Sequence, residues 1–423
     1  MWPFESIARG PTYEPLRKNE DDEDQDSFEL EQRQQEGLTT SIKPDERRKR
    51  RRRLLLLIPA LILAIGLLVG GARYLHHLRL SLPSSYGPSS SQASPSDNDA
   101  STSILKRREW RTLTPNEQKH YITSVLCLTS HPSSILKIPN GTLYDDWPWM
   151  HAHVGYYTHH AAPFLPWHRY FLHLYQQKLR DVCGYQGALV YWDWTIDADA
   201  GALEEAPVFA TGWDGSDKDI TDGDVGFGGD GEVDGEITVG KTGRCVKSGP
   251  FKDITAKYYD VKTQPHCLSR GFRTDEGKLG HIDGSLITSA SIGQTLALQR
   301  YEDFVREMEK KVHDAIPFGI GGDFETFSAP YDPLFFLHHV QLDRLWWLWQ
   351  QQSKAGSETY ESEEEREDRT FEYDGRPTGR TMEKAQLTDR LKMGPLAGDI
   401  EVKDVMDTKA GCSDRKGMLC YAY

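Results

Sequence analysis

The stretch AHVGYYTHHAAPFLPWHRYF, residues 152–171, places four of the chain's 15 histidines among aromatic and aliphatic side chains. With the residue just before it, the stretch makes His151, His159 and His168 recur at spacings of eight and nine. One such histidine alone is most often a hydrogen-bonded core residue, but three together indicate a shared set of ligands. Neutral imidazoles in an apolar cage suit copper or zinc. None of the six cysteines forms a C-x-x-C pair, so a structural zinc site is not expected.

Two later segments with helical periodicity carry further histidines. QTLALQRYEDFVREMEKKVHDAI (294–316) is predicted to be an amphipathic helix, and it contains His313. DPLFFLHHVQLDRLWWLWQQQ (332–352) is predicted to be another helix, and it contains the adjacent His338 and His339. The pattern therefore predicts a mainly α domain whose helices bring several imidazoles together, with long loops between them.

The two histidine-rich segments resemble the two copper motifs of the tyrosinase and catechol oxidase family, type 3 copper proteins related to hemocyanins. The resemblance rests on HHAAPFLPWHRYF (159–171) and DPLFFLHHVQLDRLWWLWQ (332–350), and it extends from about Ile104 to Gln352. It also includes YDDWPWMH (144–151), CGYQGALVYWDWTID (183–197) and the fungal-looking pieces GFGGDG, CVKSGPF and CLSRGF between 226 and 272.

This resemblance implies a mainly α fold with a four-helix core that brackets a binuclear copper site. It implies an oxidoreductase that uses O2 to oxidise a phenol, an o-diphenol or a related small aromatic to the quinone level. Fungal relatives often serve pigment or secondary-metabolite pathways, and that setting is the expectation here by analogy alone.

Carried over residue by residue, the resemblance assigns the first copper to His151, His159 and His168. The second copper takes His313 and His339, the second histidine of its pair. His338 is then a neighbour of the site, and Asp343, one turn later, is expected to hold an imidazole from outside the ligand set. His153 and His160 fall outside the register and are expected at the surface or behind the ligands.

One departure from the family pattern concerns the second copper. The family shows His-x-x-x-His with Gly-Gly three residues later, and aligning His313 with the first histidine puts Pro317 at the second. Proline has no side-chain donor for a metal. In the alternative frame His313 is the second ligand and Glu309 the first, which needs a four-residue insertion before the Gly-Gly. Gln176 also replaces a glutamate that is common in the family.

Two other functions are considered besides the copper oxidase. A degenerate structural or binding relative would hold one copper or none, and Pro317 is its main support. An oxygen carrier is disfavoured by the single short domain, the absence of repeated units and the predicted membrane anchor.

The formal net charge of −14 argues against nucleic acid as a partner, since phosphate binding needs a basic face.

The N-terminal region predicts attachment to a membrane. A basic run, RRKRRRR (47–53), is followed by 18 residues without a charge, LLLLIPALILAIGLLVGG (54–71). That run is near the lower limit for spanning a bilayer, and the next few residues extend it. The basic side stays in the cytoplasm by the positive-inside rule. A cleavable signal peptide is the alternative, but more than 50 residues would precede its apolar region, which is unusual.

The expected organisation follows from these features. The segments are a disordered cytoplasmic tail (1–53), a signal-anchor helix (54–75), a Ser/Pro-rich stalk (76–103), the copper-binding domain (104–352) with a Gly- and Asp-rich surface loop at 211–243, and a C-terminal extension (353–423). The protein would thus be a single-pass membrane protein with its catalytic domain in the lumen or outside the cell.

The cysteines and one sequon agree with that orientation. All six cysteines follow the apolar run, and an even number in an oxidising compartment suggests disulfides. Asn140-Gly-Thr is an N-glycosylation sequon. The family resemblance pairs Cys127 with Cys183. Nearness and the flanked loops suggest two more pairs, Cys245 with Cys267 and Cys412 with Cys420.

Overall fold

The computed structural model describes residues 104–355, 374–375 and 383–423, apart from 137, 217–219, 233, 275 and 414–416. The predicted cytoplasmic tail, signal-anchor helix and stalk lie outside the described residues. The chain divides into two compact units, Met1–Asp97 and Asn98–Tyr423, and all described residues belong to the second. Among the described residues, no helix combines the length and apolar composition that crossing a membrane requires.

The second unit is mainly helical, as the sequence predicts. Its helices are α1 Pro115–Ser130, α2 Asp146–Thr158, α3 Phe164–Cys183, α4 Trp194–Ala200, α5 Ser289–Leu296, α6 Tyr301–Glu307, α7 Asp314–Ile320, α8 Leu334–Ala355 and α9 Ala410–Ser413. A π-helical segment, Met308–His313, joins α6 to α7. The long helices α3 and α8 pack against each other and form the centre of the core.

Local sequence signals explain where the first helix begins. Thr114 accepts the backbone N–H of Glu117, while the Glu117 carboxylate accepts the backbone N–H of Thr114. This reciprocal capping box, with Pro115 in the first turn, satisfies donors that a helix start leaves free.

The predicted helix at 294–316 differs from the structure. It is divided between α5, α6 and the π-helical segment, and α7 continues beyond Pro317 to Ile320. Pro317 therefore lies inside a helix instead of ending it. A proline removes one N–H hydrogen bond, and surrounding packing can hold the helix together despite that loss. Here Ile316, Pro317 and Ile320 are all buried.

The strands are short and occupy the connections. They are β1 Leu105–Lys106, β2 Arg108–Glu109, β3 Val190–Tyr191, β4 Ile237–Val239, β5 Gly243–Cys245, β6 Thr255–Tyr259, β7 Lys262–Cys267, β8 Ser269–Arg270, β9 Asp374–Gly375, β10 Glu383–Lys384, β11 Arg390–Leu391, β12 Ile400–Glu401 and β13 Tyr421–Ala422. β1 pairs with β13 and β2 with β3 in parallel, and the other pairs are antiparallel.

The described residues of the region predicted as a surface loop, 211–243, are irregular up to β4 but do not all lie at the surface. Trp213, Val225 and Phe227 are buried in the main core. The Phe227 ring lies 5.0 Å from Trp110 and stacks on Phe251 with its centroid at 5.6 Å. These large side chains hold the loop onto the helices despite its glycines.

Described residues of the predicted C-terminal extension pack on the helix α3. Trp167 of α3 donates its indole N–H to the carbonyl of Lys392 at 2.9 Å, and Tyr170 donates its hydroxyl to the carbonyl of Gly398 at 2.9 Å. Because β13 also pairs with β1, residues from both ends of the second unit meet in one sheet.

Three disulfides fasten these parts together. The structure pairs Cys127 with Cys183, Cys245 with Cys267, and Cys412 with Cys420, and these are the three pairs expected from the sequence. The first joins α1 to the end of α3, so it stabilises the helix pair that supports the first histidine motif.

Candidate metal centre

The first histidine group is built on two neighbouring helices. His151 lies in α2, His159 caps the C-terminus of α2, and His168 lies near the start of α3. One ring nitrogen from each lies within 4.8 Å of the others, and all three residues are buried. The sequence spacing thus brings together the three residues predicted for the first copper.

Hydrogen bonds to backbone carbonyls set the protonation of these rings. Nδ1 of His151 lies 2.6 Å from the Phe327 carbonyl oxygen, that of His159 lies 2.9 Å from Gly155, and that of His168 lies 2.7 Å from Phe164. A carbonyl only accepts, so each Nδ1 carries the proton and each Nε2 keeps its lone pair.

The Nε2 atoms converge. Those of His151 and His168 are only 3.3 Å apart, which places two lone pairs face to face. A cation between the rings would convert this repulsion into coordination, and a carbonyl on the far nitrogen is the usual support of a metal-bound histidine. The donor set therefore fits a metal that prefers imidazole, such as copper.

Burial keeps these rings neutral. It lowers the pKa of His151 to about 4. Burial, and then the neighbouring histidines, hold the pKa of His159 and His168 well below the ordinary value. At neutral pH the rings are therefore available as ligands without first losing a proton.

A second group lies opposite the first. His313 ends the π-helical segment, and His338 and His339 lie in α8. One ring nitrogen from each again lies within 4.8 Å of the others. The sequence placed His338 beside the ligands, whereas the structure places its ring within the group.

The two groups face each other closely enough for a binuclear site. The rings of His168 and His339 are stacked, with centroids 4.3 Å apart and planes inclined by 13°, and those of His159 and His313 are 5.9 Å apart. The helical elements around them are α2, α3, the α6–π–α7 stretch and α8. This is the predicted core of four helices around a two-metal centre.

The aspartate that holds an imidazole by a hydrogen bond is Asp314, whereas Asp343 was expected in this role. Asp314 accepts a hydrogen bond from Nδ1 of His313 at 2.8 Å, which orients Nε2 as the ligand atom. The clue was in the sequence, since Asp314 directly follows His313. The Phe327 carbonyl that holds His151 has no such signature, because it belongs to a loop 176 residues away.

Asp343 does not hold an imidazole as expected. Its carboxylate accepts hydrogen bonds from Arg107 at 2.8 Å and Arg169 at 2.5 Å, and from the hydroxyls of Tyr421 at 2.6 Å and Tyr423 at 2.5 Å. Burial alone would raise the pKa of Asp343, but the two guanidinium groups outweigh it and hold the pKa below the usual value. This buried network of charges, behind α8, fixes the helix that carries His338 and His339.

Glu309 and His160 form a contact of their own. Both carboxylate oxygens of Glu309 accept the backbone N–H of His160, at 2.7 and 2.8 Å. The alternative frame made Glu309 a ligand, but it is not one of the three residues that form the second group.

The His160 side chain is exposed, and His153 stacks on Trp149 at 3.9 Å with its ring exposed. Neither belongs to a group, in agreement with the register.

An open cavity of about 310 Å³ gives access to the histidines. Its lining includes His151, His159 and His313 together with Pro317. The rest of the lining consists of aromatic rings, carboxylates and three further residues, namely Phe318, Phe324, Phe327, Phe335, Asp260, Glu309, Asp314, Glu325, His160, Thr326 and Ala329. The volume of the cavity is at the lower end of the range of small-molecule sites, and its lining includes histidines of both groups.

Comparison with known proteins agrees with this arrangement. The family model described as the common central domain of tyrosinase matches residues 141–352, about half of the chain. The chain belongs to the tyrosinase family. The tyrosinase-like protein phomQ1 of Diaporthe leptostromiformis is 43% identical over 328 residues, covering 75% of this chain and 77% of that protein. Tyrosinase ustQ of Aspergillus flavus is 41% identical over 318 residues, covering 75% and 78%.

A solved structure supports the same conclusion for this tyrosinase-family chain. A mutant polyphenol oxidase from Thermothelomyces thermophila matches with a TM-score of 0.58 at 26% identity, covering 76% of this chain and 89% of that one. The protein is thus a tyrosinase-like copper oxidase. The cofactor of the family is a pair of copper ions, and the two histidine groups are the residues here that could hold it.

Proposed function

We propose that this enzyme uses O2 to oxidise a phenol, an o-diphenol or a related hydroxylated aromatic to the quinone level in the cavity beside the two histidine groups. The observation that most directly supports this proposal is the close approach of the two histidine groups. The rings of His168 and His339 are stacked, with their centroids 4.3 Å apart. We assign the first copper to His151, His159 and His168, and His313 and His339 to the second. Two coppers held by these groups would supply the electrons that O2 accepts.

The side chains around the coppers have distinct tasks. The backbone carbonyls behind the first group keep its rings in one tautomer, and Asp314 does so for His313, so that no ring has to reorient. Phe324 and Phe327 line the cavity, exclude water and can stack on a substrate ring. The aromatic cavity thus sets the substrate class while the helices fix the distance between the metals.

One relative supports this substrate class. The N-acetyl-6-hydroxytryptophan oxidase ivoB of Emericella nidulans is 31% identical over 362 residues, covering 75% of this chain and 91% of that protein. The name of that enzyme specifies a hydroxylated aromatic ring as its substrate. We extend that class, and a role in a pigment or secondary-metabolite pathway, to the present chain.

The test is oxygen uptake by copper-loaded protein with 4-tert-butylcatechol and with the matching monophenol. We expect uptake with the catechol, two coppers per chain, and no uptake by His159→Ala. Two coppers per chain with no uptake on a broad panel of catechols, phenols and hydroxyindoles would overturn the proposal. Uptake with the catechol alone would restrict the enzyme to diphenol oxidation.

Pro317 is the observation that favours the second candidate, a degenerate binding protein with an incomplete second copper site. Pro317 lines the cavity where the family pattern has a histidine, and it offers no ligand atom. One copper per chain together with the absence of oxygen uptake would favour this candidate.

We further propose that residues 54–75 anchor the enzyme in a membrane, with the copper domain in the lumen or outside the cell. The charge-free run after the basic cluster supports this, as do the three disulfides and the exposed Asn140 in its sequon. Protease added to sealed microsomes should remove only the residues before the span. Glycosidase should shift the mobility of the wild type but not of Asn140→Gln. Digestion of the domain in intact vesicles would contradict this orientation.

A further inference from the structure

We propose that His338 is the third ligand of the second copper, so that two adjacent histidines of α8 and His313 hold this metal and replace the imidazole that Pro317 cannot provide. This inference rests on the proposed copper-oxidase function and concerns one of its two metal sites. The family motif predicts only His339 of the adjacent pair as a ligand.

The first argument is the matching geometry of the two groups. In the first group, the ring centroids are 5.1 Å apart for His151–His159, 5.4 Å for His151–His168 and 5.1 Å for His159–His168. In the second group the corresponding distances are 5.3, 5.2 and 5.3 Å, for the pairs His313–His338, His313–His339 and His338–His339. The second triangle therefore has the size of the one that matches a complete three-histidine site.

The second argument is the isolation of the His338 ring. His338 has no exposed surface, and neither of its ring nitrogens makes a hydrogen bond of acceptable distance and angle among the described residues, although the backbone of His313 lies near enough to oppose the lowering of its pKa by burial. The nearest rings are those of His313 and His339, each at 5.3 Å, followed by Phe324 at 6.0 Å and Trp194 at 6.3 Å. A buried imidazole without partners is costly, and coordination would satisfy one of its nitrogens. His339 shares this isolation, and the resemblance already makes His339 a ligand.

The third argument is the position of Pro317. It lies one helical turn after His313 and lines the same cavity, which is where a histidine of the family pattern would approach the metal. The Pro317 side chain offers no ligand nitrogen at that position. His338 approaches from α8, so the ligand number is restored by a residue on a different helix.

The test compares His338→Phe with His153→Phe in the full chain. Phenylalanine preserves an aromatic ring in both cases, and His153 is the matched control because it is exposed and outside both groups. Copper per chain is measured by elemental analysis after dialysis, and EPR spectra are recorded on the oxidised protein. Two neighbouring Cu(II) ions couple and give no EPR signal, whereas an isolated Cu(II) gives one.

We expect two coppers and no EPR signal for the wild type and for His153→Phe. His338→Phe should keep about one copper and show the signal of an isolated Cu(II), because two imidazoles seldom retain the ion. Adding Pro317→His to His338→Phe should restore the second copper and remove the signal. Two tightly held coppers in His338→Phe would overturn the inference.

The same measurements separate this inference from the proposed function. A wild type with one copper or none would count against the binuclear enzyme itself, whatever the variants show. If His338→Phe does not fold, His338→Gln replaces it, since glutamine keeps a polar side chain of similar length. Retention of both coppers by His338→Gln with a wild-type dissociation rate would equally refute the assignment.

Discussion

The carboxylate of Glu309 binds the backbone N–H of His160 with both oxygens, at 2.7 and 2.8 Å. Glu309 belongs to the same π-helical segment as His313, and His160 directly follows His159. One contact therefore links the backbone of the first histidine group to the segment that carries the second. The spacing of the two groups depends on it, although neither residue is among the histidines that we assign to copper.

The titration of Glu309 should make stability depend on pH. Burial raises the pKa of Glu309 from its usual value of 4.5 to about 8. Between these values the folded protein keeps a proton that the unfolded chain releases, so the free energy of unfolding falls as pH rises, by up to about 1.4 kcal/mol per pH unit. Urea unfolding from pH 5 to 8 should show the wild type losing stability relative to Glu309→Gln. A pH-independent difference between the two proteins would show that Glu309 does not titrate in this range.

Arg107 and its neighbour in sequence should differ greatly in their effect on stability. Arg107→Met leaves the buried Asp343 with one guanidinium partner fewer, and we expect a loss of about 3–5 kcal/mol in the free energy of unfolding. Arg108→Ala removes an exposed pair with Glu117 and should cost less than about 1 kcal/mol. Denaturant unfolding of both variants is the measurement, and equal losses would refute the role given to the Asp343 network.

Gly155 should be needed for the first histidine group. A Cβ added there would lie 2.5 Å from Cδ1 of Phe327, whose carbonyl holds His151. Gly155→Ala should therefore displace Phe327, lower stability by about 1–3 kcal/mol and weaken copper retention at the first site. Gly293→Ala, in α5 with nothing within 4 Å of its added Cβ, should be neutral or slightly stabilising. The two variants are compared by thermal unfolding and copper dissociation, and wild-type retention by Gly155→Ala would contradict the prediction.

The register of the first copper motif can be tested with adjacent histidines. His159→Ala should abolish copper uptake at the first site, because only two imidazoles remain. His160→Asn should retain copper, since the His160 ring is exposed and asparagine tolerates its positive φ of 54°. Copper content per chain is the measurement. If His160→Asn loses as much copper as His159→Ala, the register is wrong by one residue.

Two of the disulfides should contribute unequally to the free energy of unfolding. Cys127–Cys183 spans 56 residues and Cys412–Cys420 spans 8, so the chain-entropy relation gives about 4 and 2.5 kcal/mol for their contributions to stability. Replacing each pair by alanines and measuring denaturant unfolding should reproduce this order. A larger loss from the short pair would mean that its effect comes from the packing of the C-terminal segment, not from the unfolded chain.

The sequence was sufficient for the parts of the site that depend on local pattern. Spacing and motif were enough to group His151, His159 and His168. The position of His338 was not accessible in this way. Adjacent residues on a helix point in directions about 100° apart, and which of them faces the centre depends on the rotation of α8 about its axis.

Tertiary contacts decided the other differences. The partners of Asp343 come from 236 and 174 residues before it and from 78 and 80 residues after it, so no local pattern could reveal them. The π-helical segment likewise has no distinctive sequence signature, because its residues would also suit an ordinary amphipathic α-helix. The helix continues through Pro317 because buried neighbours hold it together despite the lost backbone hydrogen bond.

The contact between Arg107 and Tyr423, 316 residues apart, has a consequence for biosynthesis. Arg107 is synthesised long before Tyr421 and Tyr423. Until the two tyrosines have been added, the nascent domain contains an incomplete buried network of charges. A premature stop codon shortly upstream of Tyr421 would consequently remove more than a tail. It would leave Arg107 and Asp343 without their tyrosines, and such a product is a substrate for chaperones and proteolysis.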